Sequence, residues 1–318
     1  MTFTPAEQPT LYFIGVTTGQ SSIMRVFPAW ADHLGLEDAR IAGMDFAPQS
    51  AAERYREAVA FIKRDPLSRG ALVTTHKLDL FAACRDLFDA VGEHAALMAE
   101  TSCLSKRNGR LLCHAKDPIT AGLAIDGFLA PNHFAETGGA LFCMGAGGAT
   151  IAITWHLLQT SRGANRPSRI VVSDRSAARL DHIRQIHRAM AADLPVDYIE
   201  VAGRDGNDTI LSGLPGSSLI INATGLGKDA PGSPLGDAAR FPESCVAWEL
   251  NYRGDLVFLD QARAQQAAAG LQIEDGWTYF LHGWSQVIAE VFDIEVPTSG
   301  EGFAAIGRIA KAAAGRGA

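Results

Sequence analysis

Apolar and polar positions alternate along this chain in two successive series. In the first, short apolar runs at 11–16, 39–46 and 70–74 read as strands, and the stretches 22–34 and 51–63, apolar at helical spacing, read as helices. Runs at 101–105 and 111–114 flank Asn108-Gly109, a dipeptide suited to a tight hairpin turn, and read as a strand pair. A helix is expected over 117–128. The stretch 130–139, with Pro131, Gly138 and Gly139, reads as a domain boundary. Beyond it the alternation resumes. Strand candidates fall at 140–144, 169–173, 197–201, 218–222, 245–250 and 271–274, with helical segments between most of them. The pattern predicts an α/β fold whose second part, 130–275, is a doubly wound parallel sheet. The tail reads as helices over 276–293 and 300–315, apolar enough to dock onto another part of the protein.

One strand candidate carries a nucleotide signature. The run from Ala140 to Met144 ends in Gly145-Ala146-Gly147-Gly148-Ala149 and passes into a helix. A strand, a glycine turn and a helix N-terminus together form a pyrophosphate cradle. Gly145 suits the tight turn, Gly147 the close approach of backbone to phosphate, and Gly148 the packing of helix on sheet. Asp174 closes the next strand candidate, at the distance where an acid holds the ribose of a dinucleotide. The plainer alternative is a glycine turn that only packs a helix on a sheet.

Composition narrows the class. The 318 residues suit about two domains, with 47% hydrophobic and 20% charged residues, as in soluble enzymes. A net charge of −7 and the lack of a Lys/Arg block argue against nucleic acid or an acidic membrane as partner. No apolar stretch is long enough to span a bilayer, and the first residues do not read as a secretory signal. Five cysteines with no Cys-x-x-Cys spacing read as reduced, buried thiols, and the expected location is the cytoplasm. No histidine pair has metal-ligand spacing, so no metal is expected.

Two strand-to-helix junctions in the first part carry candidate chemistry, Leu72-Val-Thr-Thr-His-Lys77 and His114-Ala-Lys-Asp-Pro118. Ligands of open α/β sheets gather at the carboxyl ends of strands, so Lys77 and Asp117 could face one cleft. There a lysine can carry a proton to or from a substrate hydroxyl while a carboxylate orients it. Taken singly, Lys77 also reads as a solvated helix-start residue and Asp117 as a helix cap.

Together these pieces resemble the shikimate/quinate dehydrogenase family across nearly the whole chain. The matching segments are Gly70-Ala-Leu-Val-Thr-Thr-His-Lys77, Asp117 with Gly122, Gly145 to Ala149, Ile221-Asn-Ala-Thr224, Trp248-Glu-Leu-Asn-Tyr252 and Asp275-Gly276. The resemblance implies a substrate domain at 1–129 completed by C-terminal helices over 276–318, and a Rossmann NAD(P)-binding domain at 130–275. It implies an NAD(P)-dependent dehydrogenase that moves hydride between nicotinamide and a ring hydroxyl or ketone of a small polyhydroxylated carboxylate. Lys77 and Asp117 are its implied catalytic pair, and Ser21, Thr74, Ser102, Tyr252 and His282 its substrate contacts. Gly145, Ala146, Gly147, Gly148, Ala149, Asp174, Arg175, Asn222, Ala223 and Thr224 are the implied cofactor contacts.

The chain departs from the family at several substrate positions. In Gly19-Gln-Ser-Ser-Ile-Met24 only Ser21 fits the family's Ser-x-Ser-Pro, and Ile23 and Met24 replace Ser and Pro. The lysine motif lacks its proline and is one residue shorter. Ser102 replaces an asparagine, and Gly283 a glutamine with His282 beside it. These changes predict a divergent member that acts poorly on shikimate. Family members using NADP place Asn-Arg-Thr/Ser where this chain has Asp174-Arg175-Ser176. A carboxylate there repels a 2′-phosphate, so NAD is expected, with NADP possible. The expected partner is a polyol or cyclitol carboxylate, bound by a monomer or homodimer. Two alternatives are a nucleotide-sensing binding protein without turnover and an enzyme like methylene-tetrahydrofolate dehydrogenase.

Overall fold

The first apolar run forms strand β1, Thr10–Gly15, buried along its whole length. The computed structural model describes residues 3–36, 38–190, 192–228 and 230–315. Two compact units divide the chain, residues 1–117 with 281–318, and residues 118–280.

In the first unit β1 is followed by helix α1 (Ile23–His33), β2 (Arg40–Asp45), α2 (Ala52–Arg64), β3 (Ser68–Val73) and α3 (Lys77–Cys84). Then come β4 (Ala90–Val91), α4 (Glu93–Met98), β5 (Cys103–Arg107) and β6 (Arg110–His114). The sheet order is β2-β1-β3-β5-β6-β4. β1 pairs in parallel with β2 and β3, whereas β5 is antiparallel to both β3 and β6. Asn108 and Gly109 both take positive φ, 50° and 75°, the conformation of the tight hairpin turn expected from the sequence. Tyr12, Ile14, Phe46, Tyr55, Ile62, Leu80 and Leu104 pack in its core.

Helix α5 (Asp117–Phe128) opens the second unit's sequence and α6 (His133–Thr137) follows. The stretch read as a plain boundary, 130–139, thus holds a short helix between left-handed Asn132 and Gly138. The strands β7 (Leu141–Met144), β8 (Ile170–Asp174), β9 (Val196–Glu200), β10 (Leu219–Asn222), β11 (Val246–Glu249) and β12 (Gln272–Glu274) form one sheet. Its order is β12-β11-β10-β7-β8-β9 and every pairing is parallel. This is the doubly wound dinucleotide-binding order, whose switch point lies between β7 and β10. Helices α7 (Gly148–Leu158), α8 (Ala177–Ala189), α9 (Arg204–Ser212), α10 (Val257–Arg263) and α11 (Gln266–Ala269) connect the strands. β7, β10 and β11 are buried at every position, as covering a parallel sheet on both faces requires.

The tail forms α12 (Trp277–Phe292) and α13 (Gly300–Ala314). Within the first unit, α13 packs on α1, where the Trp30 indole donates to the Ile306 carbonyl at 3.0 Å. Trp284 of α12 meets Phe13 of β1 edge-on at 4.9 Å. The units divide at Asp117/Pro118 and Phe280/Leu281, inside α5 and α12, rather than at the bounds 129/130 and 275/276 read from the sequence.

Candidate functional site

Two sets of side chains are candidates for chemistry, one in each unit. In the first unit β3 ends at Val73, and four residues later Lys77 opens α3. The intervening turn is strained. Thr75 takes φ 55°, a left-handed conformation that costs a β-branched residue about 1–3 kcal/mol. His76 pins the turn from inside. It is buried, with Nδ1 2.9 Å from the Tyr55 hydroxyl and Nε2 3.1 Å from the Phe46 carbonyl.

Asp117 opens α5 just past the end of β6, and the Lys77 ammonium donates to its Oδ2 in an ion pair. The two side chains are 22% and 13% exposed, so the pair is sheltered yet reachable. Burial alone would pull the Lys77 pKa down. Asp117 and Glu100 outweigh it, and the pKa lies above the ordinary lysine value. Glu100 is a neighbour that the sequence reading did not single out. Its own carboxyl is pushed by burial up to about 7, with Lys77 pulling it down and Asp117 pushing it up.

The expected substrate residues separate into accessible and buried groups. Ser21 and Thr74 are half-buried, Thr74 at the end of β3. Ser102 is buried, and its hydroxyl accepts the Lys116 N–H at 2.7 Å, so it shapes the approach to Asp117 from within. His282 is also buried and stacks on Phe303 of α13 with ring centres 4.1 Å apart. Burial pushes its pKa down to about 4, and its Nδ1 has no hydrogen-bond partner. In the second unit Tyr252 belongs to an aromatic group, 5.4 Å from Trp277 and 4.7 Å from Phe280.

The second unit holds a cavity of about 420 Å³ at the switch point of its sheet. Gly145, Gly147, Asp174, Arg175, Ala223 and Thr224, all expected cofactor contacts, line it. Gly145 takes φ 102°, and a Cβ there would lie 2.7 Å from the Ala223 carbonyl oxygen. Only glycine fits where the turns after β7 and β10 approach each other so closely. Gly147 caps α7, and no atom lies within 4 Å of where its Cβ would be. Gly148 and Ala149 form the first turn of α7, and the free amides of such a turn suit a phosphate.

Asn222 lies beneath this loop, fully buried. Its Oδ1 accepts from the Thr224 hydroxyl at 2.7 Å and its Nδ2 donates to Glu249 at 2.5 Å. It therefore clamps the loop that brings Ala223 and Thr224 to the cavity. Burial pushes the Glu249 pKa up to about 7, while the amides of Asn251 and Asn222 favour its charged form. Two guanidinium groups that the sequence reading passed over, Arg179 and Arg204, line the cavity with Arg175. No carboxylate pairs with any of the three among the described residues. Arg179 lies one helical turn after Ser176, the N-cap of α8, and that spacing was the available signal. The described residues include no group of three His, Cys, Asp or Glu placed to hold a metal, and no helix long and apolar enough to cross a membrane.

No protein-family model matches the chain. It is 29% identical to a shikimate dehydrogenase (NADP⁺) of Caulobacter vibrioides over 249 residues, 78% of this chain and 77% of that protein. It is 24% identical to the Lactococcus lactis shikimate dehydrogenase (NADP⁺) over 189 residues, 59% of this chain. In that comparison the chain spans about three fifths of the relative's length (61%). The crystal structure of Aquifex aeolicus shikimate dehydrogenase superposes with a TM-score of 0.71 at 16% identity, covering 98% of this chain and 99% of that one. The chain is thus similar in sequence to shikimate dehydrogenases and has the fold of the solved ones.

The Lys77–Asp117 pair and the glycine cradle are present, whereas two of the expected substrate side chains, Ser102 and His282, are turned inward.

Proposed function

We propose that the protein is an NAD(P)-dependent dehydrogenase acting on a ring hydroxyl or ketone of a small polyhydroxylated, shikimate- or quinate-like carboxylate. The carrying observation is the Lys77–Asp117 ion pair just past the ends of β3 and β6, in a chain that also holds the Gly145 cradle. When bound, the nicotinamide supplies or takes the hydride. Lys77 handles the proton. As an ammonium it donates to the carbonyl oxygen of a ketone being reduced, and as an amine it takes the hydroxyl proton in the reverse direction. Asp117 orients Lys77 and keeps it charged. The raised Lys77 pKa suits proton donation near neutral pH, which is the direction of carbonyl reduction.

For the cofactor we depart from the NAD expected from Asp174 and propose NADP. Arg175, Arg179 and Arg204 rim the cavity without a carboxylate partner among the described residues, and a 2′-phosphate would supply one. The carboxylate of Asp174 is meanwhile engaged by two backbone amides of the surrounding loops, at 2.8 Å each. The buried free thiols suit a reducing compartment such as the cytoplasm.

The test is steady-state turnover with NADP(H) and NAD(H) against a panel of cyclic polyol carboxylates and their ketones, comparing wild type with Lys77→Ala. At least one substrate should turn over, shikimate poorly, and the variant should lose about 10²- to 10⁴-fold in kcat with little change in dinucleotide binding. Undiminished turnover by Lys77→Ala would refute the assignment.

A further inference from the structure

Glu100 stands out among the buried ionisable groups that the proposed reaction does not use. Helix α4 ends at Ala99, which takes a left-handed φ of 49°, and the chain then turns inward. The next residue, Glu100, is 1% exposed, and its Oε1 has no hydrogen-bond partner. Burying a carboxyl oxygen without a partner costs on the order of 1–3 kcal/mol, a cost that a purely structural position avoids. The flanking backbone is held in register with the reacting groups. Thr101 N–H donates to the Lys77 carbonyl at 3.2 Å, and Ser102 N–H to the His114 carbonyl, three residues before Asp117, at 3.0 Å. Glu100 acts electrostatically on Lys77 from this place, and both Lys77 and Asp117 act on Glu100.

We propose that Glu100 is a positioning residue for the proton-transfer pair, a second carboxylate neighbour that, together with Asp117, keeps Lys77 in its ammonium form. The proposal rests on the dehydrogenase reading for the use of that proton, and on the structure alone for its presence. The charged and titratable groups that interact with Glu100 are Lys77 on α3, Asp117 at the start of α5, and Cys113 on β6. Burial pushes the Cys113 thiol up to about 11, so it stays neutral through the working range. The ionisation of Glu100 changes the charge around Lys77. With Glu100 protonated, the ammonium faces one carboxylate, and with Glu100 ionised it faces two.

The experiment is competitive acylation of the full-length protein with acetic anhydride across pH, with Lys77 read by peptide mass spectrometry and the exposed Lys311 as internal reference. Neither substrate nor dinucleotide is present, so a failed turnover assay and a failed labelling assay are separate results. In wild type the labelling midpoint of Lys77 should lie above that of Lys311. In Glu100→Gln it should fall by about one pH unit, a tenfold loss of proton affinity on the scale of one neighbouring charge. Glu100→Asp, which keeps the charge, should restore most of the shift, a recovery that loss of packing alone would not give. An unchanged Lys77 midpoint in a folded Glu100→Gln overturns the proposal. A wild-type Lys77 midpoint at or below that of Lys311 overturns it without any variant.

Discussion

The backbone N–H of Ala146 donates to Oδ2 of Asp174 at 2.8 Å, tying the glycine turn after β7 to the end of β8. The other oxygen accepts from Ser176 N–H at 2.8 Å. Asp174 thus serves as a loop brace as well as a ribose candidate. Replacing it with asparagine removes the negative charge and keeps one acceptor oxygen. The NADP-to-NAD ratio of kcat/KM should rise by about tenfold in Asp174→Asn, the scale of about 1.4 kcal/mol of relieved repulsion. A ratio that does not move would mean that this carboxylate does not face the ribose.

Arg179 tests the other side of the same question. A guanidinium bound to a phosphate contributes about 1.5–3 kcal/mol, so Arg179→Ala should weaken NADP binding by roughly 10- to 100-fold. NAD binding should hardly change. Isothermal titration with each dinucleotide measures both numbers, and equal losses for the two would remove Arg179 from 2′-phosphate recognition.

Acid sensitivity should trace in part to His282. Its folded pKa of about 4 lies below the ordinary 6.5, so the unfolded chain binds more protons between those values. The stability this residue contributes is complete above pH 6.5 and is lost as pH falls towards 4. The stability difference between wild type and His282→Phe, which keeps the stack on Phe303, should therefore fall by about 3 kcal/mol from pH 7 to pH 4. Urea denaturation of both proteins at several pH values gives this difference, and a flat one would contradict the burial of the ring.

Gly122 fixes how closely α5 approaches α7. A Cβ there would lie 2.5 Å from Nδ1 of His156, whose ring is held by Arg162 at 2.7 Å and Asp126 at 3.2 Å. Gly122→Ala should cost about 1–3 kcal/mol by overpacking. Adding His156→Ala should return most of that loss, because the second change removes the obstruction. Additive losses in the double variant would point elsewhere.

The parts legible in the sequence are those with a local cause. Glycines in Gly145-Ala-Gly-Gly148, the Asn108-Gly109 turn and the apolar runs report the chain's own backbone and periodicity, and they led to the glycine turn, the hairpin and the parallel sheet. Lys77 and Asp117, forty positions apart, came from strand-end placement together with family resemblance. What escaped depends on tertiary placement. Glu100 lies in Met98-Ala-Glu-Thr-Ser102, just before the strand read over 101–105, and no local spacing shows that the left-handed Ala99 turns it inward. Ser102 aligns with a polar position of the family and His282 stands beside another, but an amide of Lys116 and the ring of Phe303 claim them. β4 has two residues and no periodicity to find.

The contact between Trp30 on α1 and Ile306 on α13 has a consequence for synthesis. Residues 118–280 form a unit continuous in the chain, whereas the unit bearing Lys77 and Asp117 also needs residues 281–318. A ribosome makes Lys77 and Asp117 before residues 118–280, yet the helices that complete their unit follow that whole stretch. The continuous unit can therefore fold during translation, as domains commonly do, while the unit bearing Lys77 and Asp117 waits for α12 and α13.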